Sequence, residues 1–190
     1  RVDATSHVTV EQGEVDHAFI SVTEAEKYTH LTTLLTGAEG LTLVFCETKY
    51  GCAWLARRLE GNGFKVEAIH GDRSQVERNR AMSRFASGEV SVLVATDVAA
   101  RGIDLDGIQL VVNYDAPQGA DDYTHRVGRT ARAGADGRAV TLVTRDQQAD
   151  VSRFATRLEI ADEFRSAGMT VSSPRLVYSS RRRGGGRRKF

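Results

Sequence analysis

Short, almost wholly apolar runs alternate along this chain with longer amphipathic stretches, and this alternation restricts the fold more than any other feature. Leu41–Cys46, Val90–Ala95 and Ile108–Tyr114 read as buried strands, and Val15–Val22, Lys65–Ile69 and Ala139–Val143 complete a set of six. Helical patterns fill the intervals. One covers Glu24–Thr36, opened by the capping box Thr23-Glu24-Ala25-Glu26, and another runs from about Thr48 to Gly61. A third opens at the box Ser74-Gln75-Val76-Glu77 and runs to about Ser87, and others cover Asp121–Arg132 and Gln147–Leu158, with Asp162 and Glu163 in a late helix. Strands buried on both sides and separated by helices make βαβ units. The expected fold is therefore α/β, a three-layer sandwich with a mostly parallel sheet covered by helices on both faces.

The chain has 190 residues, enough for one domain and its arms. The pattern places residues 1–14 in an N-terminal linking segment, 15–167 in the domain, and 168–190 in a Ser-rich linker with a basic tail, expected to be flexible when free. Six of the 26 Arg and Lys lie in residues 181–190, which hold no acid, so the other 180 residues carry 20 basic against 25 acidic side chains. A mildly acidic body with a concentrated basic arm suits a ligand rich in phosphates. No apolar run approaches the roughly 20 residues of a membrane span, and no signal-peptide pattern opens the chain. Cys46 and Cys52 form neither a disulfide framework nor a zinc spacing, so a cytoplasmic protein without a metal site is expected. A start at Arg1 rather than Met suggests a piece of something longer.

In open parallel sheets, ligands bind beyond the carboxyl ends of the strands. Here those ends read Glu47-Thr48-Lys49, His70-Gly71-Asp72, Thr96-Asp97 and Asn113-Tyr114-Asp115. If residues 121–132 are helical, His125, Arg129 and Arg132 share one face at i, i+4 and i+7. Guanidinium groups at a spacing that usually holds apolar side chains suit phosphate oxygens, which Arg grips bidentately. The same spacing also fits a solvated face paired with Asp121 or Asp122. Thr96 to Asp104 combines a strand-end hydroxyl, a loop Gly and a carboxylate able to accept from sugar hydroxyls. Equally, Thr96 or Asp97 can serve as a helix N-cap and Gly102 as a C-cap. Arg78 lies in the first turns of the helix after His70-Gly71-Asp72, either facing an anion or pairing with a nearby acid. Cys46 reads as a buried apolar residue, and His7, His17 and His30 as ordinary histidines. The sequence contains no G-x-x-x-x-G-K-[ST] loop.

Together these segments resemble the second RecA-like domain of a DEAD-box RNA helicase. Leu43 to Lys49 is similar to motif IV, His70-Gly71-Asp72 with Gln75 and Arg78 to motif IVa, Ala95 to Asp104 to motif V, and His125 to Gly134 to motif VI, in family order. DEAH-box and RecQ-like strings match less well. The resemblance implies that Arg129 and Arg132 are arginine fingers for ATP with Mg²⁺, bound mainly by a first RecA-like domain. It implies that Asp104 meets the nucleotide ribose and that His125 links the domains near the nucleotide. Thr48, Gly71, Arg78, Thr96, Arg101 and Gly102 would grip the RNA sugar–phosphate backbone. The tail residues Arg181, Arg182, Arg183, Arg187, Arg188 and Lys189 are expected to add RNA contacts. Ala131 stands where the family usually has Gly, a helix-compatible exchange if the segment is helical. A stand-alone, non-catalytic RNA-binding or scaffolding module, its tail dominating affinity, is the alternative; a third reading makes the tail a targeting or protein-interaction arm, with RNA binding confined to the folded groove.

Overall fold

The computed structural model describes residues 13–171. The proposed tail contacts Arg181 to Lys189, and most of the proposed N-terminal segment, lie outside the described residues. Six strands form one sheet: β1 (Val15–Ser21), β2 (Leu41–Phe45), β3 (Val66–Ile69), β4 (Val92–Ala95), β5 (Ile108–Asn113) and β6 (Gly137–Val143). Their order is β1-β6-β5-β2-β4-β3, and every neighbouring pair is parallel. The helices are α1 (Lys27–Thr36), α2 (Lys49–Gly61), α3 (Gln75–Ala86), α4 (Asp97–Ala100), α5 (Ala120–Val127), α6 (Gln148–Arg157) and α7 (Ala161–Ser166). A 3₁₀ turn, Arg145–Gln147, leads into α6.

The alternation of side chains along each strand divides the core in two. On one face Val44, Val94, Val112 and Val140 pack under Leu31 and Leu35 of α1 and Cys52, Leu55 and Leu59 of α2. On the other, Leu43, Leu93 and Val111 meet Ala81 and Phe85 of α3 and Ala99 and Ala100 of α4. Further along that face, Phe19 and Val143 meet Tyr123 and Val127 of α5, Val151 and Phe154 of α6 and Phe164 of α7. Each fully buried Leu, Val or Phe contributes about 1.5–3 kcal/mol to holding these layers together. Met169 is buried in the same cluster, so packing continues beyond the last helix. Among the described residues, no helix is long and apolar enough to cross a membrane.

Two helix boundaries differ from the sequence reading. The capping box at Ser74 forms in full, with Ser74 and Glu77 exchanging side-chain and backbone bonds. At Thr23 the hydroxyl and the amide likewise donate to Glu26 Oε2, at 2.8 Å each, but the Glu26 amide donates to the Thr23 carbonyl at 3.1 Å instead of to its hydroxyl, so residues 24–26 make a turn and α1 begins at Lys27 rather than Glu24. The larger difference is at α5, which stops at Val127 instead of reaching Arg132. Thr130 Oγ1 donates to the Ile108 carbonyl at 2.5 Å, and Ala131, Ala133 and Gly134 take left-handed φ values of 54°, 55° and 77°. Hence His125, Arg129 and Arg132 do not share a helix face. Ala131 occupies a conformation that favours Gly, and the exchange is not the helix-compatible one expected. The reversal also lets β6 start at Gly137, where a Cβ would lie 2.1 Å from Thr130 Oγ1.

Candidate functional site

After β2 the chain crosses by α2 towards β3, whereas after β5 it crosses by α5 to β6 on the opposite face. The carboxyl ends of β2 and β5 therefore flank the point where connections diverge, which is where open sheets form a crevice. Arg126 organises this edge. Its side chain is only 4% exposed, and Nε and Nη2 donate to Asp97 Oδ1 and Oδ2 at 2.7 Å each. Nη1 donates to the Asp115 carbonyl at 2.6 Å and to Asn113 Oδ1 at 3.2 Å, and the guanidinium sits over the Phe45 ring. Asn113 in turn donates to Thr141 Oγ1. One buried cation thus binds the loop after β4 to the end of β5.

Sequence reasoning passed over Arg126, although it held a usable signal. Buried Ala120, Tyr123 and Val127 define the inner face of α5, and Arg126 lies three residues beyond Tyr123. A cation at that phase must be paired, because burying a lone charge costs several kcal/mol.

The expected nucleotide residues come together at the edge of this junction. Arg129 is half-buried, and its Nη1 donates to the Ile103 carbonyl. Burial, joined by the neighbouring Arg132, lowers its pKa from the ordinary Arg value, while Asp104 acts in the opposite sense. Arg132 donates from Nη1 to Asp104 Oδ1 at 2.6 Å and from Nε to the Gly128 carbonyl at 2.8 Å. The acids that pair with this segment are thus Asp97 and Asp104, not Asp121 or Asp122. His125, exposed near the end of α5, lines a cleft of about 310 Å³ with Arg101, Gly102, Arg126 and Arg129.

Several expected backbone-gripping residues lie next to these. Arg78 lines a second cleft, about 450 Å³, with Arg101, Gly102 and Asp104, so the two clefts share Arg101 and Gly102. Arg78 Nη2 donates to the Ala99 carbonyl at 3.0 Å rather than to an acid. Thr96 is buried at the N-terminal boundary of α4 without a side-chain cap bond, while Gly102 has φ 79° and open space where a Cβ would stand. Thr48 and Gly71 line neither cleft. Thr48 caps α2, accepting from the Gly51 amide at 3.0 Å, and Gly71 is exposed with nothing within 4 Å of a Cβ position.

The donor set suits part of a nucleotide site. Two guanidinium groups and an exposed carboxylate offer partners for phosphate and hydroxyl, and Asp104 is already paired with the cation that a phosphate would attract. Among the described residues, no group of three or more His, Cys, Asp and Glu is placed to hold a metal ion. Both cysteines are buried and free. Burial raises the Cys46 thiol well above its ordinary range and pushes Cys52 up to about 12, so neither is a nucleophile.

Residues 26–134 match the family described as helicase conserved C-terminal domain. The chain is 45% identical over 150 residues to DEAD-box ATP-dependent RNA helicase 30 of Arabidopsis thaliana, which covers 77% of this chain and 24% of that protein. It is 43% identical over 167 residues to DEAD-box ATP-dependent RNA helicase 46 of the same plant, 87% of this chain and 25% of that one. Among solved structures, a DEAD box protein from the hyperthermophile Methanococcus jannaschii superposes with TM-score 0.72 at 37% identity, over 77% of this chain and 40% of that one. The C-terminal domain of the DEAD-box protein Dbp5 gives 0.69 at 32% identity, over 77% of this chain and 86% of that one. The chain belongs to the helicase C-terminal domain family and has the RecA-like fold of the second domain of DEAD-box proteins. It spans about a quarter of the length of these two curated relatives.

Proposed function

We propose that this chain is the second half of an ATP-dependent RNA helicase, coupling ATP hydrolysis to local separation of an RNA duplex. The observation that carries this reading is the bidentate Arg126–Asp97 pair, which joins the loop bearing Thr96, Arg101 and Gly102 to the segment bearing Arg129 and Arg132. Residues suited to an RNA backbone and residues suited to a triphosphate are thereby parts of one braced unit.

In this reading Arg129 and Arg132 lie against the phosphates of ATP held mainly by a first RecA-like domain. Phosphoryl transfer to water depends chiefly on positioning and on stabilising charge that develops on the transferred group. The two guanidinium groups supply that charge from outside the triphosphate cradle, as the missing G-x-x-x-x-G-K-[ST] loop requires. Before they engage, Arg132 must exchange Asp104 for phosphate, which frees the Asp104 carboxylate for the ribose hydroxyls. His125, exposed at the cleft that Arg129 also lines, links the domains. Magnesium, for which the described residues offer no carboxylate cluster, would neutralise phosphate charge from the first domain's side.

Thr48, Gly71, Arg78, Thr96, Arg101 and Gly102 grip sugar and phosphate rather than bases, so binding is independent of sequence. The cations of residues 181–189 add affinity that depends on salt. Two free buried thiols suit the reducing cytoplasm.

RNA-stimulated ATP hydrolysis tests the reading. The chain alone is expected to show no turnover, and turnover is expected once it is joined to a DEAD-box first domain. Failure to hydrolyse ATP in the joined form, with RNA still bound, would favour the non-catalytic RNA-binding module instead.

A further inference from the structure

Lys27, in the first turn of α1, is a lysine only 2% exposed, and no motif accounts for it. Lysine is almost never buried without a partner. Its Nζ donates to Asp115 Oδ1 at 2.8 Å and lies 3.2 Å from Glu24 Oε1 and 5.3 Å from the centre of the Tyr114 ring. An apolar side chain of similar size would fasten α1 to the sheet at least as well, because a buried ion pair rarely adds net stability. The charge therefore needs a reason other than packing.

Asp115 supplies it. Its other carboxylate oxygen, Oδ2, accepts the Glu47 amide at 2.8 Å, while its carbonyl accepts Arg126 Nη1. Glu47 immediately precedes Thr48, so the carboxylate fixes the turn between β2 and α2 by a charge-assisted bond to the backbone. Held by Lys27 on one oxygen, the Asp115 carboxylate keeps the other aimed at that amide at the crevice edge.

We propose that Lys27 and Asp115 are positioning residues for RNA binding: together they hold the Glu47–Thr48 turn so that Thr48 meets the sugar–phosphate backbone. This rests on the reading that Thr48 touches RNA. Neither residue touches RNA itself, and neither contacts Arg129, Arg132 or Asp104, so nucleotide binding is left unchanged.

The test is a double-mutant cycle on the 190-residue chain, reading the Kd for a single-stranded uridine decamer. Thr48→Ala alone is expected to weaken binding severalfold. Lys27→Met should weaken it to a similar degree, the double variant should bind no worse than Thr48→Ala, and Lys27→Arg should restore most of the loss. Asp115→Asn, which keeps an acceptor but drops the charge, provides a second variant should Lys27→Met not fold; its smaller loss should likewise vanish in the Thr48→Ala background. In the helicase joined to a first domain, the RNA concentration for half-maximal ATPase should rise while the KM for ATP stays constant. A silent Thr48→Ala overturns the placement of RNA on Thr48. A weakened Thr48→Ala with losses from Lys27→Met or Asp115→Asn that are absent, or that add in full, overturns the positioning role alone.

Discussion

His17 carries a consequence that follows from one ring and its surroundings. It lies on β1, shares a 2.7 Å hydrogen bond between Nδ1 and the Tyr123 hydroxyl, and stacks on that ring. Burial lowers its pKa below the ordinary 6.5, with Glu163 and Asp16 only partly opposing the shift. The folded chain therefore binds this proton less readily than the unfolded chain, and stability present above pH 6.5 is lost as pH falls through that value. His70, also lowered chiefly by burial, adds to the same trend. Thermal melting followed between about pH 7 and pH 5 should show Tm falling, and His17→Gln should flatten part of that fall. An unchanged slope in the variant would show that His17 titrates alike in both states. Single residues differed in how far the sequence exposed them. Arg129, Arg132 and Asp104 stood out because four motifs in family order resembled a known domain, although a solvated face or helix caps could explain each string alone. Arg126, in the same string, did not, since only its phase on α5 distinguishes a junction residue from a surface one. Lys27 and Asp115 escaped for a related reason: 88 residues separate them, and nothing local reports their contact.

At the level of elements, strands and most helices were legible within one to three residues, because buried apolar runs and caps are local signals. The Ser74 box formed as read, while the Thr23 box became a turn: both hydroxyls donate to the Glu three residues on, but the Glu77 amide bonds back to Ser74 Oγ whereas the Glu26 amide bonds to the Thr23 carbonyl. The end of α5 was illegible for a different reason. Gly128 and the residues after it are compatible with helix, and what stops the helix is a long-range bond from Thr130 to Ile108, together with the tight approach of Gly137. That geometry makes Ala131, like Ala133, a weak point of the turn after α5, since an L residue at φ 54° costs about 1 kcal/mol relative to Gly. Ala131→Gly should therefore stabilise the domain by up to about 0.6 kcal/mol, the looser unfolded chain offsetting part of the gain. Equilibrium denaturation measures it. A loss of stability would mean that the buried Ala131 methyl contributes more by packing than its backbone costs.

For the whole molecule, the parallel α/β class could be read from the sequence, but the strand order could not. Pairings such as β1 with β6 join residues more than a hundred positions apart, and no local pattern records them. Yet the order places the site, because it puts β2 beside β5 and brings the Arg126 junction to the crevice between their ends. In the proposed reading, the domain presents Arg129 and Arg132 to a triphosphate held by another domain, with an RNA-gripping loop braced to them through Arg126 and Asp97. Arginine fingers that complete a site in this way contribute about 10³-fold or more to kcat. The most direct measurement is steady-state ATPase, with RNA binding alongside, for Arg129→Ala in the chain joined to a DEAD-box first domain. The account predicts a fall in kcat of about 10³-fold or more with RNA affinity unchanged. Turnover at the unsubstituted rate would contradict it.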